Sequence, residues 1–384
     1  MKIGIEAQRI FRKNKHGMDY VVLQEIIELQ KMDVENEYYV FVAPGPDRCI
    51  SDSSNVHVIE VPGSFYPTWE QLALPKAAKR CGVELLHCTS NTAPVCCDIP
   101  LVLTLHDIIF LEPRDKQNKS LYQNMGWLYR RLVVPRVLPK CRRIITVSDF
   151  EKRNIISKLN IPDSRMAMIY NGYNEWFKPT DDSQQVYQKY IDEKGYFFFL
   201  GNTDPKKNTE RTLIAYSQYL ERSAVKRKLL MADLDRQYLE DIITRNGIDN
   251  IRSQIVMPGY IVNSDLPYIY GNAFAFLYTS LRESFGIPLL EAMACGTPVI
   301  TSNTSSMPEI GGQDAILINP EKPEEISSMM LRLEQDEDFY RQQASYGTER
   351  AQLFSWRKTA EQLLTLYQDV YQEITLKTSV KQTE

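Results

Sequence analysis

The sequence lacks any apolar run approaching the ~18 residues that a membrane-spanning helix needs. Its opening, Met1-Lys-Ile-Gly-Ile-Glu6, reads as a strand and not as the apolar region of a secretion signal. The seven cysteines are scattered (49, 81, 88, 96, 97, 141 and 295) and lack paired spacing. That pattern excludes a disulfide framework, and the expectation is reduced thiols in a cytoplasm. These cysteines and the four histidines form no cluster with zinc-ligand spacing. No Gly-x-Gly-x-x-Gly follows the first strand, as a dinucleotide-dependent oxidoreductase requires. No Gly-x-Ser-x-Gly elbow is present either, so a Ser-His-Asp hydrolase lacks its nucleophile.

What remains is the composition of a globular protein with a sizeable core: 43% hydrophobic and 24% charged over 384 residues. That length suggests two or three domains on a prior of about 150 residues each. The net charge of −4 hides an asymmetry. Residues 1–178 hold 24 Lys and Arg against 20 Asp and Glu, or +4; the remainder holds 21 against 29, or −8. A basic first half suggests an anionic partner. Arg130, Arg131, Arg136, Lys140, Arg142 and Arg143 concentrate the effect beside Leu132-Val-Val134 and Val137-Leu138. Such a segment either lies on an anionic membrane surface or is a solvated helix face, and both readings stand. Nucleic acid is disfavoured, because the overall charge is negative and no nucleic-acid module pattern occurs.

The chain alternates strands and helices. Short apolar or β-branched runs fall at 2–6, 38–42, 56–61, 84–88, 101–105, 144–147 and 166–170, and again at 196–200, 229–231, 254–257, 273–278, 299–301 and 316–318. Helical periodicity between them, as in Val21–Lys31 and Thr209–Arg222, implies two doubly wound α/β domains with parallel sheets of seven and six strands. The break falls between Trp176 and Gly195, where a polar segment gives way to a charged stretch expected to be helical. The expected domains are 1–178 and 179–355, followed by an amphipathic helix and tail, 356–384. Ligands of open α/β sheets sit beyond the carboxyl ends of the strands, so two such domains are expected to place one substrate each, with reaction in a cleft.

The most informative stretch is Glu283-Ser-Phe-Gly-Ile-Pro-Leu-Leu-Glu291, continued by Ala-Met-Ala-Cys-Gly296-Thr-Pro298. Pro288 suits the first turn of a helix and Gly296 the residue past its end. The backbone N–H groups of Ser284, Phe285 and Gly286 are then expected to face a phosphate. Carboxylates beside a phosphate suit ribose or sugar hydroxyls. The segment reads as a nucleotide-sugar site. It resembles the Glu-x7-Glu signature of the retaining glycosyltransferases of family 4, which have the GT-B fold of two Rossmann-like domains, and the resemblance runs through most of the chain.

The resemblance implies roles for other residues. Gly17, in Lys15-His-Gly-Met-Asp-Tyr20, matches the glycine-containing loop that approaches the donor diphosphate, and glycine there allows positive φ and close backbone approach. The family more often has a second glycine where Asp19 stands. His106, closing Leu101-Val-Leu-Thr-Leu-His-Asp107, is expected to contact the donor sugar; Asp107 either orients the imidazole or contacts acceptor. The segment His87-Cys-Thr-Ser-Asn91 is expected to line the acceptor side. Gly201 and the pair Lys206 and Lys207 match the loop whose cations stabilise the leaving diphosphate, Lys207 in frame and Lys206 where relatives carry Arg. Ser148 reads as a helix cap. Ser306-Met-Pro-Glu309 reads as a capping box flanking the donor.

The resulting expectation is a retaining hexosyltransferase of bacterial surface-polysaccharide assembly, capsule or lipopolysaccharide. It takes a hexose, with a lean to mannose, from a GDP- or UDP-sugar to a hydroxyl of a lipid-linked or growing glycan. Catalysis is assigned to His106, Glu283 and Lys207. Donor binding is assigned to Gly17, Gly201, Lys206, Lys207, Ser284, Phe285, Gly286 and Glu291, and the acceptor side to Asp107 and Asn91. No metal or other cofactor is expected, because no acidic pair of the Asp-x-Asp kind is placed to hold one. The expected location is cytoplasmic, peripheral on the inner face of the membrane if the basic segment binds lipid. Alternatives are a sugar-nucleotide epimerase of the same fold or a non-catalytic sugar-nucleotide-binding protein. A glycosidase also uses paired carboxylates, but Glu283 and Glu291 share a phosphate-type helix start.

Overall fold

A computed structural model describes residues 1–63, 65–112, 121–181, 183 and 185–383. The chain divides into two compact units, one built from 1–171 with 356–384 and the other from 172–355. Both are doubly wound. The first unit holds strands β1 (Lys2–Glu6), β2 (Glu37–Val42), β3 (Val56–Glu60), β4 (Leu85–Cys88), β5 (Leu101–Thr104), β6 (Cys141–Thr146) and β7 (Met166–Met168), in sheet order 3-2-1-4-5-6-7. The second holds β8 (Tyr196–Leu200), β9 (Leu229–Ala232), β10 (Ile255–Val256), β11 (Ala273–Tyr278), β12 (Val299–Ser302) and β13 (Ile316–Ile318), in order 10-9-8-11-12-13. Every pairing is parallel. The order reverses between β1 and β4 in one sheet and between β8 and β11 in the other.

The strands explain themselves chemically. Tyr196-Phe-Phe-Phe-Leu200 is apolar at every position because helices cover both faces of a parallel sheet. Phe197 and Phe199 pack with Leu213 and Tyr216 of the Thr209–Arg222 helix and with Leu331 of the Pro323–Gln335 helix. Strand β10 is shorter than the run 254–257 suggests. Pro258 cannot donate to a ladder, and Gly259 turns the chain at φ +79°.

One expected helix does not form. The charged stretch before Gly195 contains only a single turn, Val186–Lys189, entered through a left-handed Gln185 at φ +52°. So short a segment between a left-handed residue and Gly195 has too few turns to offset helix nucleation. It is held instead by burial of Val186 and Tyr187.

The final helix, Trp356–Thr383, belongs to the first unit. Its stripe Ala360, Leu363, Leu366, Tyr367 and Val370 packs with Ile3, Ile5, Val40 and Ile26. Leu363→Ala should therefore destabilise the first unit by about 2–5 kcal/mol, the usual cost of a buried Leu deletion. The check is a lowered denaturant midpoint at unchanged transition slope, and a loss under ~1 kcal/mol would show that this helix is not part of the core.

Candidate functional site

The loops after β8 and β11 carry the side chains to which the sequence points, at the reversal in strand order. Gly201 ends β8 where an added Cβ would lie 2.8 Å from Leu234 Cβ and 2.9 Å from the Ala232 carbonyl, so glycine is required by packing. One turn follows, Pro205–Lys207, capped by Asp204 accepting the Lys206 N–H. Asn208 then enters the left-handed region at φ +60°. Its buried side-chain amide donates to the carbonyls of Thr279 (3.0 Å) and Pro320 (2.7 Å). That clamp fixes the lysine turn against the loop after β11. Leu281 N–H donates to the Lys206 carbonyl at 2.7 Å, a second tie between the same loops.

The two ties bring Lys207 to Glu283, Nζ to Oε1 2.6 Å, with both side chains partly covered. Lys207 also lies 6.0 Å over the Tyr278 ring. Among the described residues, the Lys206 ammonium has no ion-pair or hydrogen-bond partner. Glu283 itself is held by its backbone: its N–H donates to Ser305 Oγ (3.1 Å) and its carbonyl accepts from Ser306 Oγ (3.0 Å). Ser306 Oγ donates also to the Phe285 carbonyl. The expected capping box at Ser306 is therefore absent. Its hydroxyl is fully buried toward the Glu283 loop and is unavailable to the Met307–Gly311 helix.

The helix Ile287–Ala294 begins as expected, with Gly286 as its cap at φ +109° and Pro288 in its first turn. The φ of Gly286 favours glycine, and a Cβ there would also require the flexible Met307 side chain, 2.7 Å away at Cε, to shift. Phe285 turns away and packs edge-on against Phe354, while Ser284 is half-buried beside Glu283. Glu291 sits one turn into the helix. Desolvation pushes its carboxyl up to about 8, so it is mostly protonated near neutrality in the free chain.

In the first unit, His106 follows β5 and is 6% exposed. Its Nε2–H donates to the Thr89 carbonyl at 3.0 Å, and its backbone N–H donates to Asn91 Oδ1 at 2.6 Å. Burial lowers its pKa, so the ring is neutral. Asn91, at φ +67° and buried, braces His106. Asp107 does not orient the imidazole; its Oδ1 accepts the Ile109 N–H in a tight turn. His87 corrects a sequence expectation. It lies within β4, fully buried, bonding Tyr367 Oη (2.6 Å) and Thr104 Oγ1 (2.7 Å), so it is a core histidine and lines no surface. Gly17 does not use the positive φ open to glycine, since it is the first residue of the helix Gly17–Met32, and a Cβ added there would meet nothing within 4 Å. Asp19, where relatives more often have glycine, accepts the His16 N–H and closes that helix end.

Sequence reading missed Ser305, which holds Glu283 through a left-handed turn at φ +54°, and underrated Asn208. An asparagine directly before a helix, following a basic pair, was the available signal for the second. Among the described residues, no three His, Cys, Asp or Glu side chains group as a metal ion would require, and no helix is long and apolar enough to cross a membrane.

A paired lysine and glutamate beside a helix start, at the reversal point of a parallel sheet, suit an anionic, hydroxyl-bearing ligand. Comparison with known proteins agrees. Residues 181–350 match the family model described as glycosyl transferases group 1, and residues 16–176 that of glycosyltransferase family 4. The O-antigen chain mannosyltransferase B of Escherichia coli is 31% identical over 284 residues, with 69% of each chain covered. A serotype-specific mannosyltransferase of Escherichia coli is 30% identical over 234 residues, which span 56% of this chain and only 27% of that protein. A protein of Anabaena solved in complex with UDP shares the fold, with a TM-score of 0.73 at 19% identity over 96% of this chain and 100% of that one. With a family model on each unit and a relative matched over two thirds of its length, the chain belongs to the group 1, family 4 glycosyltransferases.

Proposed function

We propose that this glycosyltransferase moves a hexose, mannose by preference, with retention from a GDP- or UDP-sugar to a hydroxyl of a lipid-linked or growing glycan. The relatives named as mannosyltransferases support the sugar. The Anabaena protein's UDP supports a nucleotide donor. The retaining outcome follows from the resemblance of the Glu283–Glu291 segment. The observation that carries the reading is the Lys207–Glu283 pair held at 2.6 Å beside the unpartnered Lys206 and the Ile287–Ala294 helix start.

As the bond from sugar to diphosphate breaks, negative charge grows on the β-phosphate. Two lysines and the positive end of a helix dipole meet that charge without a metal. A diphosphate offers Lys207 more negative charge than one carboxylate does, so Lys207 exchanges Glu283 for phosphate. Glu283 is then released to the sugar hydroxyls. The neutral His106 is assigned the sugar contact that the resemblance implies. Glu291 is assigned the ribose hydroxyls.

Lys207→Ala should lower turnover about 10²–10³-fold in single-turnover assays with GDP- or UDP-sugars, with a smaller change in nucleotide affinity. Wild-type turnover should persist in EDTA. Activity lost in chelator and restored by magnesium would overturn the metal-free assignment, and unchanged turnover in Lys207→Ala would displace the diphosphate from this loop.

The Glu291 assignment has a pH signature. A ligand that needs the ionised carboxylate must strip its proton below about pH 8. Nucleotide affinity should therefore rise up to tenfold per pH unit toward 8 and level off above it. Glu291→Gln should remove that component, measured by calorimetry against wild type at each pH. Parallel profiles for the two proteins would refute the ribose assignment.

The chain is further assigned a peripheral place on the inner face of an anionic membrane. Support comes from the helix Leu121–Val137, where Met125, Leu128 and Leu132 are each about half exposed, at 49%, 52% and 48%, on one face near Arg131 and Arg136. Exposed apolar residues at i, i+3 and i+7 with flanking arginines suit an interfacial helix. The chain should sediment with vesicles containing anionic lipid, less with neutral ones, and Leu128→Glu should release it. Equal recovery in the supernatant with both vesicles would rule this contact out.

A further inference from the structure

The first unit contains a cavity of about 350 Å³ that the donor chemistry does not use, lined by Gln8, Arg12, Ala43, Pro44 and Gly63. Its position follows from the sheet. Gln8 comes two residues after β1, Ala43 directly after β2 and Gly63 three residues after β3, so the cavity lies beyond three adjacent carboxyl ends, where open α/β sheets take ligands. The volume is within the range of small-molecule pockets and far above what one water fills. Part of the wall is fixed without side chains. Gly63 sits at φ +137°, where a Cβ would come within 3.2 Å of Trp69, and a Cβ on the neighbouring Gly45 would lie 2.2 Å from the Phe11 carbonyl oxygen.

Two lining side chains are left incomplete. The Gln8 backbone is fully used, its N–H donating to Glu6 Oε1 (3.1 Å) and its carbonyl accepting from Ala43 N–H (3.1 Å). Its side-chain carbonyl oxygen has no partner, although the residue is only 4% exposed. A buried acceptor without a donor is a standing cost, which a ligand hydroxyl relieves. Arg12 is half-buried, and among the described residues its guanidinium has neither carboxylate nor hydrogen-bond partner. Two nearby cations are neutralised, Lys15 by Asp47 and Arg48 by Glu60, while the exposed Lys13 is turned to solvent. The cavity therefore carries one uncompensated guanidinium, the group best suited to a forked bond with an oxyanion.

We propose that this cavity is a subsite for an anionic, hydroxylated ring of the acceptor, with Gln8 taking a hydroxyl and Arg12 a phosphate or carboxylate. Its place as an acceptor subsite rests on the glycosyltransferase reading above. The two oxyanion sources are a glycosyl phosphate, as at the reducing end of a lipid-linked glycan, and the carboxylate of an acidic sugar. Ala43 and Pro44 supply an apolar wall for the carbon face of the ring.

The test uses the full chain saturated with UDP or GDP, so that the donor site is filled, and titrates mannose 1-phosphate, glucuronate and mannose by ligand-observed NMR. One anionic sugar should bind and mannose much more weakly; which of the two binds identifies the oxyanion. Arg12→Gln should weaken that binding roughly ten- to a hundredfold, Arg12→Lys should recover part of it, and Gln8→Leu should weaken it less than Arg12→Gln. Nucleotide affinity should be unchanged in all three variants. Equal binding of mannose and the anionic sugars, no binding of either anionic sugar, or full affinity in Arg12→Gln would overturn the subsite while leaving the transferase reading intact. Failure of the wild-type chain to bind any nucleotide or nucleotide sugar would instead remove the reading on which the subsite rests.

Discussion

Parallel strands buried on both faces leave their chemistry only one place to go. Most β8 and β11 side chains are buried between covering helices, so polar function is displaced to the loops beyond the strand ends. Where strand order reverses, the two loops diverge and open a crevice. In the second unit the loops after β8 and β11 carry Lys206, Lys207 and Glu283; in the first, the loops after β1, β2 and β3 carry Gln8, Arg12 and Gly63. Both candidate sites lie beyond strand carboxyl ends, but only that of the second unit sits at the reversal, because the first sheet reverses between β1 and β4.

The second unit holds its reactive pair with backbone more than with side-chain charge. Asn208, Ser305 and Ser306 all act on main-chain groups of neighbouring loops, and Glu283 is pinned at its N–H and its carbonyl. The carboxylate is held by side chains instead, with the Lys207 ammonium at 2.6 Å. The backbone ties fix where Glu283 starts from without fixing its partner. A group that must pair with a lysine when the site is empty and with hydroxyls when it is full needs a backbone held independently of that partner.

The architecture was largely legible from residues alone, since fully buried parallel strands appear as apolar runs bounded by polar loops. Tyr196–Leu200 and Ala273–Tyr278 match the observed strands end to end. The start of the Ile287–Ala294 helix was legible too, because Pro288 is preorganised for a first turn, although the positive φ of Gly286 was not foreseen. What could not be read was the use made of small polar side chains. Ser306 has the spacing of a cap, yet burial turns its hydroxyl toward another loop. His87 and His106 both lie at or near strand ends, and only tertiary packing by Tyr367 identifies the first as core. The cation at Arg12 was invisible for the same reason, because its lack of a partner depends on which neighbours are already paired.

The first unit is made of two segments distant in sequence, 1–171 and 356–384, while the second is continuous. During synthesis this inverts the usual amino-to-carboxyl order of maturation. The opening 171 residues emerge first but lack Leu363, Tyr367 and Val370, which complete one layer of their core. They must wait while the 184 residues of 172–355 are made, roughly 10–40 s at common elongation rates. Throughout that interval the face formed by Ile3, Ile5 and the Gly17–Met32 helix lacks its cover. A nascent chain of this plan therefore carries uncovered apolar surface on its earlier half, while the later-made unit has its whole sequence available first.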